Sequence, residues 1–276
     1  MPKDLTVALG ANVCSKDGSF NQRAVISISS QFLKLSRNGC RVIGVVGAGG
    51  IAREYLDVAM RYEKRHKALD DIAIRVSRAN ALLLISRLRA IGAKVLPKPL
   101  TALKQLDEPW FNRFDSSGTI VVFGGLKPGL TSDSTAALIS KRLGSPLIIV
   151  STVGGIFETD PNKIKRGKPP RMRSSVDLQY VREIIAAFST SGERQTHGAQ
   201  AHVLDRQTCR ILQEESSKGK VAQVYATGYK HIIDCARDSV PGRRRKGEGR
   251  LAGRVKDELA SDEDRSTPIF TRIVLR

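Results

Sequence analysis

Val42-Ile43-Gly44-Val45-Val46-Gly47-Ala48-Gly49-Gly50-Ile51-Ala52-Arg53-Glu54-Tyr55 reads as a strand, a glycine-rich turn and the start of a helix. The apolar run shows no alternation, which marks a strand covered on both faces rather than one with a wet side. Beyond the turn, Ile51, Tyr55, Val58, Ala59 and Tyr62 recur at helical spacing and predict one apolar helical face. The same pattern returns along the chain. Residues 5–9 form an apolar run that ends in Gly10-Ala11-Asn12. Residues 120–123 end in Gly124-Gly125, ahead of a helix from about Ser132, and residues 147–150 run into Ser151. Residues 70–89 read as a helix. Doubly buried strands separated by helices predict an α/β fold, a three-layer α/β/α sandwich with a mostly parallel sheet.

The chain of 276 residues suits one such domain, and 41% hydrophobic with 26% charged residues is a globular composition. A core of this size needs no staple. Cys14, Cys40, Cys209 and Cys235 lie far apart with no C-x-x-C pair, so neither a zinc site nor a disulfide framework is signalled. No metal ligand set is expected, and a reducing, cytoplasmic compartment is. Met1-Pro2-Lys3-Asp4 has no leader pattern, and no apolar run approaches the ~20 residues that span a bilayer. Forty-six basic residues against 27 acidic give a net charge of +19, which attracts polyanions.

The C-terminal stretch differs in character. From Pro241 to Lys256 seven basic residues face one acidic residue, Glu248, among glycines and with no apolar period. The expected organisation is a domain over 1–240, a basic flexible insertion over 241–265, and a terminal strand within 266–276 that rejoins the sheet.

Three glycine-rich turns, at Gly10, at 47–50 and at 124–129, each follow a strand. In open parallel sheets ligands bind beyond the C-terminal strand ends, where glycines let backbone N–H groups approach an anion. No Walker sequence is present. Thr131 or Ser132 also suits a plain helix N-cap, as does Asp205. His66, His197, His202 and His231 lack ligand spacing and read as surface or core residues. Trp110, Phe111 and Phe114 read as packing.

Taken in order, these segments resemble the amino-acid kinase superfamily, and within it the uridylate (UMP) kinases of archaeal and bacterial type. The resemblance rests on Val46-Gly47-Ala48-Gly49-Gly50 with Arg53, and on Asp70 followed by Asn80-Ala81. It continues through Pro128-Gly129-Leu130-Thr131-Ser132-Asp133, Gly155-Ile156-Phe157 with Asp160-Pro161, and Leu204-Asp205. It implies transfer of the ATP γ-phosphoryl to UMP, with Mg2+ carried by the nucleotide, in a homo-oligomer, typically a hexamer. It implies that Gly10, Ala11, Gly49, Arg53, Ser151, Phe157 and Asp160 take ATP. Ala48, Asp70 and the loop Gly125-Leu126-Lys127-Pro128-Gly129-Leu130-Thr131-Ser132 would take UMP. Asp133, Asp205 and Lys127 are the catalytic candidates.

The chain departs from the family in its first loop. The lysine of Lys-x-Gly-Gly-Ser is Ala8 here, and the second glycine is Ala11. Thr152-Val153-Gly154-Gly155 replaces Asn-Val-Asp-Gly. Losing one preorganised cation costs on the order of 10²–10³ in rate; Lys127 and Lys163 are the candidate substitutes. A second reading is therefore a catalytically impaired nucleotide-binding paralogue that contacts RNA or another polyanion between Arg243 and Lys256.

Overall fold

The structure, a computed structural model, describes residues 1–10, 15–16, 19–109, 111, 118–157, 171–189, 204–216, 223–240 and 268–275. Ala11, Trp110, Phe114, Asp160, Lys163, His197, His202 and the basic run between Arg243 and Lys256 lie outside them.

The strands are β1 (Asp4–Leu9), β2 (Ser15–Lys16), β3 (Ser19–Phe20), β4 (Arg41–Val46), β5 (Ile120–Phe123), β6 (Leu147–Val150), β7 (Ser175–Asp177), β8 (Val224–Thr227) and β9 (Phe270–Val274). The helices are α1 (Gln22–Arg37), α2 (Gly49–Ala59), α3 (His66–Ala90), α4 (Ser132–Leu143), α5 (Leu178–Ser189), α6 (Arg206–Ser216) and α7 (Ile232–Asp238). Seven strands form one sheet in the order β5-β4-β1-β6-β8-β9-β7. Every pairing in it is parallel except β8 with β9. The α/β class and the mostly parallel sheet are those expected from the unbroken apolar runs.

Those runs are buried throughout because successive side chains enter opposite layers. Leu5, Val7 and Leu9 pack with Ile28 and Phe32 of α1, Leu84 and Leu88 of α3, and Ile232 of α7. Ala8, Val45 and Ile149 face the other way, onto Ala136 and Ile139 of α4, Val181 of α5 and Leu212 of α6. Three layers result.

At the N-terminal strand edge a buried ion pair sets the register. Arg41 Nε donates to Asp4 Oδ1 at 2.5 Å, Nη1 reaches the Phe111 carbonyl, and the guanidinium lies 4.3 Å from the Phe111 ring centroid. Phe111 is thus packing, as expected. The terminal strand pairs antiparallel with β8 and parallel with β7. Arg272 on it pairs with Asp238 of α7.

One expectation needs correction. The apolar face of residues 51–62 is not buried: α2 ends at Ala59, and Tyr55, Val58 and Tyr62 are 60%, 56% and 84% exposed. The helix buries its small residues instead, Gly49, Gly50 and Ala52, and packs on α3. Periodicity locates an apolar face but says nothing of what covers it. Among the described residues no helix is long and apolar enough to cross a membrane.

Candidate active site

Because β1, β4, β5, β6 and β8 run parallel, their C-terminal ends lie along one edge of the sheet. The turns after them therefore meet there. Gly10 N–H donates to the Val150 carbonyl at 3.1 Å, and Gly47 N–H to the Leu9 carbonyl at 3.1 Å. These two bonds tie the first loop to both its neighbours. Ala48 and Gly49 follow at the start of α2, and Arg53 stands half-buried one turn on.

Helix α3 holds one side of this edge. Asp70 and Ser77, seven residues apart, fall on one line along it, with Arg78 and Asn80 flanking that line about 80° to either side. Asn80 Nδ2 donates to the Gly47 and Ala48 carbonyls at 3.0 and 2.9 Å. Ser77 Oγ accepts from Gly125 N–H at 2.6 Å, and Arg78 Nε donates to the Gly125 carbonyl at 3.0 Å. Asp70 Oδ2 accepts from Gly129 N–H at 2.8 Å. The loop touches the helix so closely that a Cβ on Gly124 would lie 2.9 Å from Arg78 Cα, and one on Gly125 3.0 Å from Ile74 Cα. Two glycines are required there for that reason.

The loop ends in a cap. Thr131, not Ser132, is the N-cap of α4: its Oγ1 accepts from Ser134 N–H at 3.0 Å, and its own N–H donates to Ser134 Oγ at 2.9 Å. The Thr131 hydroxyl also donates to Asp205 Oδ2 at 2.5 Å. The other Asp205 oxygen accepts from Thr208 N–H at 2.6 Å, capping α6. Asp205 is therefore both a helix cap and a strut between two helix starts. Beside it, Asp133 is only partly exposed. Burial, then the nearby Asp205 charge, push its carboxyl from 3.8 up to about 7, while a hydrogen bond from Ser132 opposes the rise. Lys127 and Gly129 are exposed at the tip of the loop; Leu126, Pro128 and Leu130 are half-buried.

The far side of the edge is held by β9. Ser151 Oγ accepts from Gly154 N–H at 3.1 Å and closes the turn after β6. Thr271 of β9 then takes hold of the loop, its Oγ1 accepting from Ile156 N–H at 3.0 Å and donating to the Arg173 carbonyl at 2.6 Å. Phe157 forms an antiparallel bridge with Met172 and stays half-buried.

The edge thus gathers Gly10, Ala48, Gly49, Asp70, the loop from Gly125 to Ser132, Asp133, Ser151 and Asp205. Ala8 lies one residue inside it, fully buried between Val45 and Ile149. Sequence reasoning left out Ser77, Arg78 and Thr271; for the first two, their spacing from Asp70 was the available signal. Among the described residues no group of three or more His, Cys, Asp or Glu forms a metal-binding cluster.

Sequence comparison assigns this α/β architecture to a family. The amino acid kinase family's sequence pattern matches residues 7–223, and the chain belongs to that family. Its relatives within the family include uridylate kinases. That of Methanoregula boonei is 31% identical over 216 residues, covering 78% of this chain and 83% of the relative. That of Methanoculleus marisnigri is 34% identical over 162 residues, covering 58% of this chain and 64%, just under two thirds, of the relative. The solved uridylate kinase of Archaeoglobus fulgidus superimposes with a TM-score of 0.64 at 21% identity, covering 87% of this chain and 97% of that one. This likeness speaks to the fold alone.

Proposed function

We propose that the chain is a UMP kinase, moving the γ-phosphoryl of Mg-ATP to UMP to give UDP. One observation carries the reading: a glycine loop strapped to α3 runs directly into the Asp133–Asp205 carboxylate pair, on the strand edge where the adenosine-side loop also ends. Phosphoryl transfer asks a protein chiefly for positioning and for charge complementary to the moving group. In this reading Asp70, Ala48 and the loop from Gly125 to Ser132 hold UMP. Gly10, Gly49, Arg53, Ser151 and Phe157 hold ATP, with Ala11 and Asp160. Asp133 and Asp205 orient the reacting ends, and Lys127 supplies positive charge that Ala8 does not.

The exposed Tyr55, Val58 and Tyr62 support a homo-oligomer, since a face of this kind on a helix is normally covered. The impaired-paralogue alternative rests on Ala8, Ala11 and the Thr152-Val153-Gly154-Gly155 departure, and the basic run between Arg243 and Lys256 remains the site proposed for any polyanion.

The test is ADP formation from Mg-ATP with UMP, CMP or dUMP, run beside Asp133→Asn and Lys127→Met. UMP-dependent turnover, lowered on the order of 10²-fold or more in Lys127→Met, is the expected result. UMP binding with no turnover in the native chain would make it a nucleotide-binding relative instead.

A further inference from the structure

The loop that follows β5 is held by its carbonyl oxygens. Arg78 Nε donates to the Gly125 carbonyl at 3.0 Å and Nη2 to the Leu126 carbonyl at 3.4 Å. Among the described residues there is no cis peptide. In a trans peptide the N–H of the next residue points opposite to the carbonyl. The Leu126 and Lys127 amides are therefore turned away from α3 together. Just upstream the polarity is reversed: Gly125 N–H is taken by Ser77 Oγ, which donates in turn to the Ile74 carbonyl at 2.9 Å. The helix thus takes the Gly125 amide and ties back the two carbonyls that follow; only further along, at Gly129, does Asp70 take another amide of the loop. Successive free N–H groups on one side of a turn make a binding concavity for anionic or acceptor oxygens. A flip of either peptide would put a carbonyl there instead.

We propose that Arg78 is a positioning residue of the acceptor-nucleotide site. By holding the Gly125 and Leu126 carbonyls against α3, it presents the Leu126 and Lys127 N–H groups to oxygens of the bound nucleotide, those of its phosphate or of its uracil ring. This rests on the reading of the 125–132 loop as the UMP side. Arginine suits the task because a planar fork reaches two carbonyls at once, whereas lysine reaches one.

The experiment uses the full chain with Arg78→Met and Arg78→Lys. KM for UMP and for ATP, calorimetric binding of UMP, CMP and uridine, and thermal midpoints are measured for each. Arg78→Met is expected to raise KM and Kd for UMP about tenfold, the worth of roughly one hydrogen-bonded contact. KM for ATP stays within about twofold, and Arg78→Lys recovers part of the loss. A loss of UMP affinity with uridine binding unchanged assigns the amides to the phosphate; an equal loss for both assigns them to the base. Unchanged UMP binding in Arg78→Met overturns the proposal alone, as does a fall in UMP and ATP affinity together that tracks the thermal midpoint. A native chain that binds neither nucleotide overturns the functional reading and the proposal with it.

Discussion

Replacing Thr271 by valine removes a hydroxyl and keeps the shape. The side chain is fully buried, and its oxygen is used twice: it accepts from Ile156 N–H at 3.0 Å and donates to the Arg173 carbonyl at 2.6 Å. Valine leaves the buried Ile156 N–H with no partner and strips the Arg173 carbonyl, on an exposed residue, of its protein donor. A buried orphan costs about 1–3 kcal/mol, and the added methyl returns roughly 1 kcal/mol or less in a site already filled. The net expectation is a loss of about 1–3 kcal/mol in urea unfolding. Thr271→Ser is the control: it keeps both bonds and loses one buried methyl, about 1 kcal/mol. In the proposed reading the functional consequence is selective, because the freed groups flank the loop assigned to ATP. KM for ATP should rise about tenfold, equivalent to about 1.4 kcal/mol, with KM for UMP unchanged. If valine proved as stable as serine and left KM for ATP alone, the view of β9 as the support of that loop would be wrong.

Other expectations can be checked with the same protein. The Asp133 carboxyl is raised to about 7, so the folded state holds that proton more tightly than the unfolded chain and loses stability as pH rises from about 4 through 7. Asp133→Asn removes the penalty: relative to the native chain it should gain about 1–2 kcal/mol between pH 5 and pH 8, below the roughly 3 kcal/mol that the two pH units from 5 to 7 allow because the group is partly exposed. Equal differences at the two pH values would refute this. Gly124→Ala places a Cβ 2.9 Å from Arg78 Cα, a backbone atom that cannot swing aside; a loss of about 1–3 kcal/mol and a weaker KM for UMP are expected, measured by urea unfolding and kinetics. Ala8→Lys inserts an ammonium stem at a fully buried position; it should lower the thermal midpoint and change kcat less than about threefold if, as proposed, Lys127 carries the charge. A rise in kcat on the order of 10² would instead show that the native chain is impaired.

The parts legible in the sequence were those whose signal is local. β1, β4, β5 and β6 announced themselves because two covering layers leave no polar alternation, and α4 because Thr131 and Ser132 both suit an N-cap just after the glycine-rich turn. Helix α1 carried an equally local signal, Asn21 as cap with Ala24, Ile28, Phe32 and Leu35 behind it, and was passed over in favour of the glycine turns. What the chain could not show is pairing between distant segments. Nothing near Thr271 hints that it serves a loop more than a hundred residues earlier, and nothing near Asp205 hints that one oxygen caps α6 while the other holds Thr131. The outward turn of Tyr55 and Val58 was hidden for a related reason: the choice of buried face falls to Gly49, Gly50 and Ala52, whose small size lets α2 lie against α3.

These long-range contacts divide the site into two independently supported halves. Helix α3 holds the loop after β5, and β9 holds the loop after β6. In the sheet order β5-β4-β1-β6-β8-β9, five strand spacings separate the two supports, about 24 Å at roughly 4.8 Å each. Residues so far apart with no shared partner are expected to be additive within about 0.5 kcal/mol. Combining Arg78→Met with Thr271→Val should therefore multiply the two KM effects without mixing them, the first on UMP and the second on ATP. Their stability losses should simply sum. A coupling above about 1 kcal/mol would mean that the strands between them transmit strain, and that the nucleotide loops are set by the sheet as one body rather than by two separate supports.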